Sequence, residues 1–182
     1  PLAALQSHLE ALIDGVWEPN PDRLLVLHDE VLRVNRLVSD LENLNDGSDD
    51  SSTTGIAHTR WATHGVPSER NSHPQLDHTG RIAVVHNGII ENFMTLRREL
   101  EQSGVRFSSD TDTEVLPNLI RQEVDSGKDL FRAVRVALGR VQGTYGIAVI
   151  SADEPDTMVA ARYGSPLAAG IGDGEYFVAS DV

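Results

Sequence analysis

The sequence predicts a domain of mixed strands and helices, either an α/β or an α+β sandwich. Short apolar strand patterns alternate with stretches in which apolar residues recur every three or four positions, the spacing of amphipathic helices. Hydrophobic residues make up 40% and charged residues 24% of the 182 positions, which is typical of a packed globular domain. The length is close to the usual size of one domain.

Residues 1–54 are predicted to form a helical hairpin followed by a polar loop. The apolar positions of both helices recur mostly at three- and four-residue steps; they are Leu2, Leu5, Leu9, Leu12, Ile13, Leu24, Leu27, Val31, Val34, Val38 and Leu41. Residues 45–54 lack apolar anchors and read as a loop. We expect the hairpin to pack on, or form part of, the main domain at 55–182; a coiled-coil contact between two copies is the alternative.

The remaining elements follow from residue 55 onward. Strands are predicted at 55–58, 81–86, 145–151, 158–162, 167–170 and 176–179, and helices at 90–102, 113–124 and 129–140. Asn92 is in place to cap the first helix. The glycines at 170–174 precede a strand rather than a helix, so they indicate a hairpin turn and not a phosphate loop.

Composition excludes several classes of protein. The net charge is −13 and no basic stripe is present, which argues against binding to nucleic acid or an anionic membrane surface. No apolar run is long enough for a membrane span, and no secretory signal is visible. Cysteine is absent, which excludes thiolate zinc sites and a cysteine nucleophile within these residues. The central histidines fit no metal-binding spacing, so no metal or other cofactor is expected; they are His58, His64, His73, His78 and His86.

Three polar segments are candidates for chemistry. In the first, residues 59–65, Arg60 offers a planar fork of donors for a carboxylate, with Thr63 and His64 beside it; the alternative is a surface ion pair. In the second, the Asn87 amide and the Gly88 N–H form a possible oxyanion hole; the alternative is an Asn-Gly turn.

The third segment, residues 109–114, stands at a predicted helix start. Aspartate and threonine are expected there as helix caps. The alternative is that one of the carboxylates binds an ammonium group.

Taken together, these segments closely resemble the class II glutamine amidotransferase domain of the glutamine–fructose-6-phosphate aminotransferase family. The matching stretches are 55–65, 67–68, 71, 73–74, 85–92, 111–115, 143–146, 164–167 and 179–181. The related amidophosphoribosyltransferase domain ranks second, because its segments corresponding to residues 59–65 and 86–92 differ from those of this chain.

The resemblance implies an α+β fold of the N-terminal-nucleophile hydrolase type, a four-layer αββα sandwich of antiparallel sheets, here incomplete at both ends. It also implies glutamine hydrolysis by an N-terminal cysteine, with the ammonia passed to fructose 6-phosphate to give glucosamine 6-phosphate. The roles that it implies are an oxyanion hole at Asn87 and Gly88, and substrate contacts at Arg60, Trp61, Thr63, His64 and Asp112. A cytoplasmic enzyme, possibly a homo-oligomer, is expected.

The chain departs from the family at its first residue, where Pro1 stands in place of the cysteine. Three explanations remain open: an incomplete chain, a domain that binds glutamine or a partner without reacting, or a different nucleophile. The family's two sugar-phosphate isomerase domains are also outside these residues. An incomplete chain is the expectation, because the candidate binding residues are all in place.

Overall fold

The computed structural model describes residues 13–14, 53–58 and 68–180. Close contacts divide the chain into two units, Pro1–Ser51 and Ser52–Val182. Within the first unit, Ile13 is helical and its side chain is exposed. The rest of the predicted hairpin lies outside the described residues, so its structure and its boundary stay predictions.

The second unit contains helices and strands in nearly the predicted order. A short 3-10 turn occupies Glu69–Asn71. The strands are β1 (Gln75–Leu76), β2 (Ile82–Ile90), β3 (Gly143–Ser151), β4 (Glu154–Tyr163), β5 (Ala168–Ile171) and β6 (Tyr176–Ala179). The helices are α1 (Phe93–Gln102), α2 (Val115–Asp125) and α3 (Leu130–Leu138).

The strands form one four-stranded sheet, in the order β1-β2-β3-β4, and a separate hairpin of β5 and β6. Every one of these strand pairs is antiparallel. The register of β2 on β3 runs from Ile82 opposite Ser151 to Ile90 opposite Gly143. The three helices lie between β2 and β3 in the chain, so the described part of the fold is α+β rather than α/β.

The core lies between one face of the four-stranded sheet and the helices. Side chains alternate between the two faces of a strand, so Ile82, Val84 and Ile90 of β2 share a face with the imidazole of His86. The first three belong to the apolar cluster, together with residues of β3, β4 and the helices. Several of the predicted inward positions are fully buried, among them Val115, Leu119, Ile120 and Leu130.

The expectation of a strand at 55–58 is wrong, because residues 53–58 form no regular element. A strand requires a neighbour that pairs with its backbone, and the position beside the first half of β2 is taken by β1. The segment instead places His58 against the sheet, as described below.

The expectation of side-chain caps on α1 and α2 is also wrong. Asn92 stands at the N-cap of α1 but makes no capping hydrogen bond. Its amide instead donates to the Arg140 carbonyl over 2.9 Å and accepts from the Gln142 N–H over 3.0 Å. The N-cap of α2 is Glu114, whose side chain likewise does not cap the helix. In α3 the cap is present, because the Asp129 side chain accepts from the Arg132 N–H.

Within the described part of the chain, no helix combines the length and apolar composition that a membrane span requires.

Candidate functional site

Asn87 and Gly88 lie inside strand β2, where they pair with Gly146 and Tyr145 of β3. The alternative of an Asn-Gly turn is therefore wrong. The predicted strand continues four residues further than the apolar pattern indicated, to Ile90. Both residues are half-buried, and they stand in a rigid element held by a nine-residue ladder.

Gly88 has a backbone conformation that suits glycine, with φ at +138°. A Cβ atom at this position would stand 2.2 Å from the carbonyl oxygen of Thr144 in β3. The missing side chain thus lets the two strands approach at the position next to Asn87.

Asp112 is bound to the same strand. Its side chain is buried, and Oδ2 accepts a hydrogen bond of 2.8 Å from the Ile90 N–H. Successive N–H groups of a strand point to opposite edges, so the Gly88 N–H is expected to point to the same edge as that of Ile90. A carboxylate and an N–H donor therefore stand along one edge of β2, the carboxylate at Ile90 and the donor two residues earlier at Gly88.

The loop that carries Asp112 is held from inside by Glu114. One carboxylate oxygen of Glu114 accepts from the Ser108 N–H over 2.7 Å and from its hydroxyl over 2.9 Å. The other accepts from the Ser109 N–H over 2.7 Å and from its hydroxyl over 2.6 Å. Both serine N–H groups are thereby satisfied on a single buried carboxylate, which fixes the loop's course.

The same loop is tied to the chain before β1. The side-chain oxygen of Asn71 accepts from the Asp110 N–H over 2.9 Å, and Arg70 forms an ion pair with the Asp110 carboxylate. The hydrogen bond from the Arg70 guanidinium, together with a longer one of 3.5 Å from the Asn71 NH2 group, holds the pKa of the Asp110 carboxyl below its usual value. Asp110 is exposed and carries the loop's outer contact, whereas Asp112 carries its inner one.

His86 links the loop to β2 and β3. Its Nε2 lies 3.3 Å from the Thr144 carbonyl, which only accepts, so the proton is on Nε2 and the ring accepts at Nδ1 from the Thr113 hydroxyl over 2.9 Å. Burial lowers the pKa of this imidazole, and the nearby Asp112 carboxylate only partly opposes that effect. His86 is therefore a neutral clamp between the strands and the residue next to Asp112.

Two histidines converge on Asn87 from outside the sheet. His58 Nε2 lies 2.7 Å from the side-chain oxygen of Asn87, and His73 Nδ1 lies 3.0 Å from His58 Nδ1. From the sequence, these two histidines were considered as metal ligands and as parts of the stretches that resemble the family. Nothing in the spacing of residues 58, 73 and 87 shows that they meet. Among the residues that the structure describes, no three His, Asp or Glu side chains are grouped so as to hold a metal ion.

The structure thus brings together Asn87, Gly88 and Asp112 of the predicted site. The other predicted residues, Arg60, Trp61, Thr63 and His64, lie outside the described residues. A buried carboxylate binds a cation, and amide donors stabilise a developing negative charge. The described arrangement therefore suits a substrate that carries an ammonium group and reacts through an oxyanion.

Comparison with known families gives a match over most of this unit. Residues 58–182 match the family model described as a glutamine amidotransferase domain. The match includes every residue of the predicted site.

Named relatives extend the likeness. The chain is 49% identical over 150 residues to the glutamine–fructose-6-phosphate aminotransferase (isomerizing) of Streptomyces coelicolor, a match that covers 82% of this chain and 24% of that protein. Identity to the enzyme of the same name from Methanothermobacter thermautotrophicus is 55% over 130 residues, or 71% of this chain and 22% of the relative. For the Chlorobaculum tepidum enzyme it is 53% over 157 residues, or 84% and 26%. The chain thus spans about a quarter of the length of these relatives.

Solved structures show the same kind of fold. The glutamine phosphoribosylpyrophosphate amidotransferase from B. subtilis, complexed with ADP and GMP, superimposes with a TM-score of 0.55 at 29% identity, over 68% of this chain and 26% of that one. A structure described as the allosteric regulatory enzyme of purine biosynthesis gives a TM-score of 0.53 at 30% identity, over 61% and 24%.

Proposed function

This chain belongs to the glutamine amidotransferase domain family, and we propose that it is the glutaminase part of an aminotransferase that makes glucosamine 6-phosphate from fructose 6-phosphate. The domain hydrolyses L-glutamine, and the ammonia released is transferred to the sugar phosphate. The observation that carries the proposal is that Asn87 and Gly88 lie in strand β2 and that Asp112 is hydrogen-bonded to the same strand. The named relatives at 49–55% identity support the choice of sugar acceptor.

The chemistry follows from these groups. A thiolate attacks the side-chain amide carbon of glutamine, and the carbonyl oxygen becomes an oxyanion that the Asn87 amide and the Gly88 N–H stabilise. Ammonia leaves with the proton taken from the thiol, and water then hydrolyses the thioester to glutamate. Asp112 binds the substrate's α-ammonium group, and Arg60 binds its α-carboxylate.

The nucleophile in this proposal is the N-terminal cysteine of the family, and these 182 residues contain no cysteine. That composition favours one other candidate function, a domain that binds glutamine without hydrolysing it. Asp112 would be useful even in a domain that only binds glutamine, whereas an oxyanion hole is useful only when a reaction occurs. Measuring glutamine hydrolysis by the natural protein that contains this chain therefore separates the two.

We also propose that the four-stranded sheet is half of a four-layer αββα sandwich. Helices cover one face of this sheet. Its other face carries apolar side chains at alternating positions, including Val85 and Ala148, which are buried, and Ile150 and Met158, which are partly buried. An apolar second face supports packing against another sheet, because a face in contact with water would carry polar side chains at these positions.

The proposed partners are glutamine and, through sugar-isomerase domains outside these residues, fructose 6-phosphate. Homo-oligomerisation and a cytoplasmic location stay predictions. An amidophosphoribosyltransferase activity is the rival for the acceptor, since one of the solved structures described above is a glutamine phosphoribosylpyrophosphate amidotransferase. Assaying ammonia transfer to fructose 6-phosphate and to phosphoribosylpyrophosphate in parallel decides between them.

The replacement Asp112→Asn tests the substrate role of Asp112. An asparagine keeps an oxygen for the Ile90 N–H and removes the negative charge that binds the ammonium group. We expect KM for glutamine to rise roughly 30- to 1000-fold, the effect of losing a buried charge contact of about 2–4 kcal/mol.

Asp110→Asn is the matched control, because Asp110 lies two positions away on the same loop and binds Arg70 instead. Steady-state glutaminase kinetics of the natural protein should show KM within about threefold of the unchanged enzyme for this variant, as for a surface ion pair. Equal effects of the two variants on KM would refute the assignment of Asp112.

A further inference from the structure

We propose that His58 is a positioning residue that holds the Asn87 amide with its NH2 group, rather than its oxygen, turned toward the reacting substrate. The inference rests on the proposed glutaminase function and adds to it a residue outside the predicted site. His58 touches neither the oxyanion nor the leaving group in this scheme. It acts through the Asn87 side chain, which contacts the oxyanion.

The direction of the hydrogen bond fixes the orientation of the amide. The Asn87 oxygen lies 2.7 Å from His58 Nε2, and an amide oxygen only accepts, so His58 Nε2 carries the proton. The oxygen and the NH2 group lie on opposite arms of the amide. Holding the oxygen at His58 therefore directs the NH2 group away from it, which leaves the donor arm for an oxyanion.

The reverse orientation would be harmful in the proposed reaction. An amide rotated by half a turn would present its oxygen to the developing negative charge and would repel it. The two orientations have nearly the same shape, so packing alone distinguishes them poorly. A fixed donor on one side selects between them before the substrate binds, which is the preorganisation that an oxyanion hole requires.

His73 contacts the other ring nitrogen of His58. The two Nδ1 atoms are 3.0 Å apart, and the ring centroids are 4.6 Å apart. Since neutral His58 has its proton on Nε2, its Nδ1 accepts, and the proton of the contact belongs to His73. The order of donation runs from His73 through His58 to Asn87.

His73 stands on an anchored part of the chain. Next to His73, the Gln75 side chain is buried and donates to the Ser72 carbonyl over 2.6 Å. Asn71 is fully buried and accepts from the Asp110 N–H, on the loop of Asp112. The segment that carries His73 is thus tied to the substrate-binding loop.

A pair of substitutions at position 58 separates positioning from packing. His58→Gln places an amide donor near the site of the imidazole Nε2, whereas the shorter side chain of His58→Asn does not reach Asn87. In the natural protein that contains this chain, we expect His58→Asn to lower kcat for glutamine hydrolysis about 10- to 100-fold, with KM within about threefold. His58→Gln should restore kcat to within about threefold of the unchanged protein.

The Asn87→Ala background tests whether His58 acts through Asn87. Asn87→Ala alone should lower kcat about 100-fold or more, and adding His58→Asn should then cause no further loss. His78→Asn is the control, because this histidine contacts Asn118 instead and should leave kcat unchanged. A kcat that is equally low in both His58 variants, or a full further loss in the Asn87→Ala background, would overturn the proposal.

Ring-nitrogen NMR gives a reading that does not depend on catalysis. The proposal expects a proton on His58 Nε2, and a neutral His58 with its proton on Nδ1 overturns it even in a protein without activity. Failure of the proposed function is distinct: the unchanged protein would release no glutamate from glutamine while His58 still carried its Nε2 proton. Normal turnover in Asn87→Ala would remove Asn87 from the oxyanion hole and overturn the positioning proposal with it.

Discussion

At Gly88, both the backbone conformation and the close approach of a neighbouring strand require a residue without a side chain. Its φ of +138° is costly for other residues, and the Thr144 carbonyl occupies the place of a Cβ atom. The obstacle belongs to the backbone of a neighbouring strand, so it cannot rotate aside. Asn87 stands next to this close approach, and its position depends on it.

We expect Gly88→Ala to destabilise the fold by about 3 kcal/mol or more, through backbone strain and the clash with Thr144. Gly80→Ala is the control, because Gly80 also has a positive φ, +72°, but nothing stands within 4 Å of its Cβ position. That variant should lose only about 1 kcal/mol, the cost of a left-handed backbone. Urea denaturation measures both changes, and equal losses would show that the contact with Thr144 carries no cost.

The Asn-Gly pair also shows the limit of local sequence patterns. Asparagine followed by glycine is typical of turns, yet here both residues continue a strand. The deciding fact is the register with β3, in which Asn87 faces Gly146 and Gly88 faces Tyr145. No local signal contains that register, because the partner strand lies more than 50 residues further along the chain.

At the scale of elements, the loop 108–114 has the central role. It brings Asp112 to the edge of β2, and its own course depends on the Glu114 carboxylate. The polar residues of this loop were expected to cap helix α2, but their hydrogen bonds are made within the loop, to β2 and to the chain before β1. A loop fixed by several such hydrogen bonds can hold a charged side chain at a fixed place.

Glu114→Gln should weaken this loop. One arm of the glutamine amide is an NH2 group, so the Ser108 or the Ser109 N–H would face a donor and lose its acceptor. We expect a loss of about 1–3 kcal/mol in the free energy of unfolding. KM for glutamine should also rise, because Asp112 moves with the loop.

Glu123→Gln is the comparison for this variant. Glu123 lies in helix α2, which Glu114 precedes, and it forms an ion pair with Lys128. Its change in unfolding free energy should stay within about 0.5 kcal/mol. Chemical denaturation and glutaminase kinetics of both variants check the expectation. If Glu114→Gln proved as mild as Glu123→Gln in both measurements, the loop would owe its course to other contacts.

At the scale of the whole molecule, His86 makes stability depend on pH. Burial lowers its pKa in the folded protein below the value of 6.5 that an exposed histidine has. Below about pH 6.5 the unfolded chain therefore binds a proton at this residue that the folded protein does not. Stability should fall as the pH drops below 6.5, by at most about 1.4 kcal/mol per pH unit from this group, and should not depend on it above.

His86→Gln provides the test, because glutamine can donate to the Thr144 carbonyl but does not titrate. Unfolding free energies measured from pH 5 to pH 7.5 should show a shallower slope below 6.5 for the variant. Contacts with arginine side chains hold the pKa of Asp110 and the pKa of Asp153 below the usual value of an aspartate. These carboxyls therefore take up protons only at a lower pH than the range of these measurements. Parallel curves for the two proteins would show that His86 does not carry the effect.

The sequence by itself determined which elements form and which residue types are available for chemistry. Apolar spacing placed most helices and strands after residue 80 to within a few residues, because burial of one face imposes that spacing wherever the element packs. The exceptions are β2, which ends four residues later than predicted, and β4, which begins four residues earlier. The roles of Asn87, Gly88 and Asp112 came from the resemblance of their segments to the amidotransferase family, because the residues alone left an Asn-Gly turn and helix capping as alternatives.

Only the tertiary structure decided what those residues touch. The partner of Asp112 is an N–H group 22 positions earlier, and the partner of Asn87 is an imidazole 29 positions earlier. The loss of the predicted strand at 55–58 has the same origin, because strand pairing depends on which segment reaches the sheet edge. Contacts of this kind depend on how the chain folds back on itself, which no local spacing of residues records.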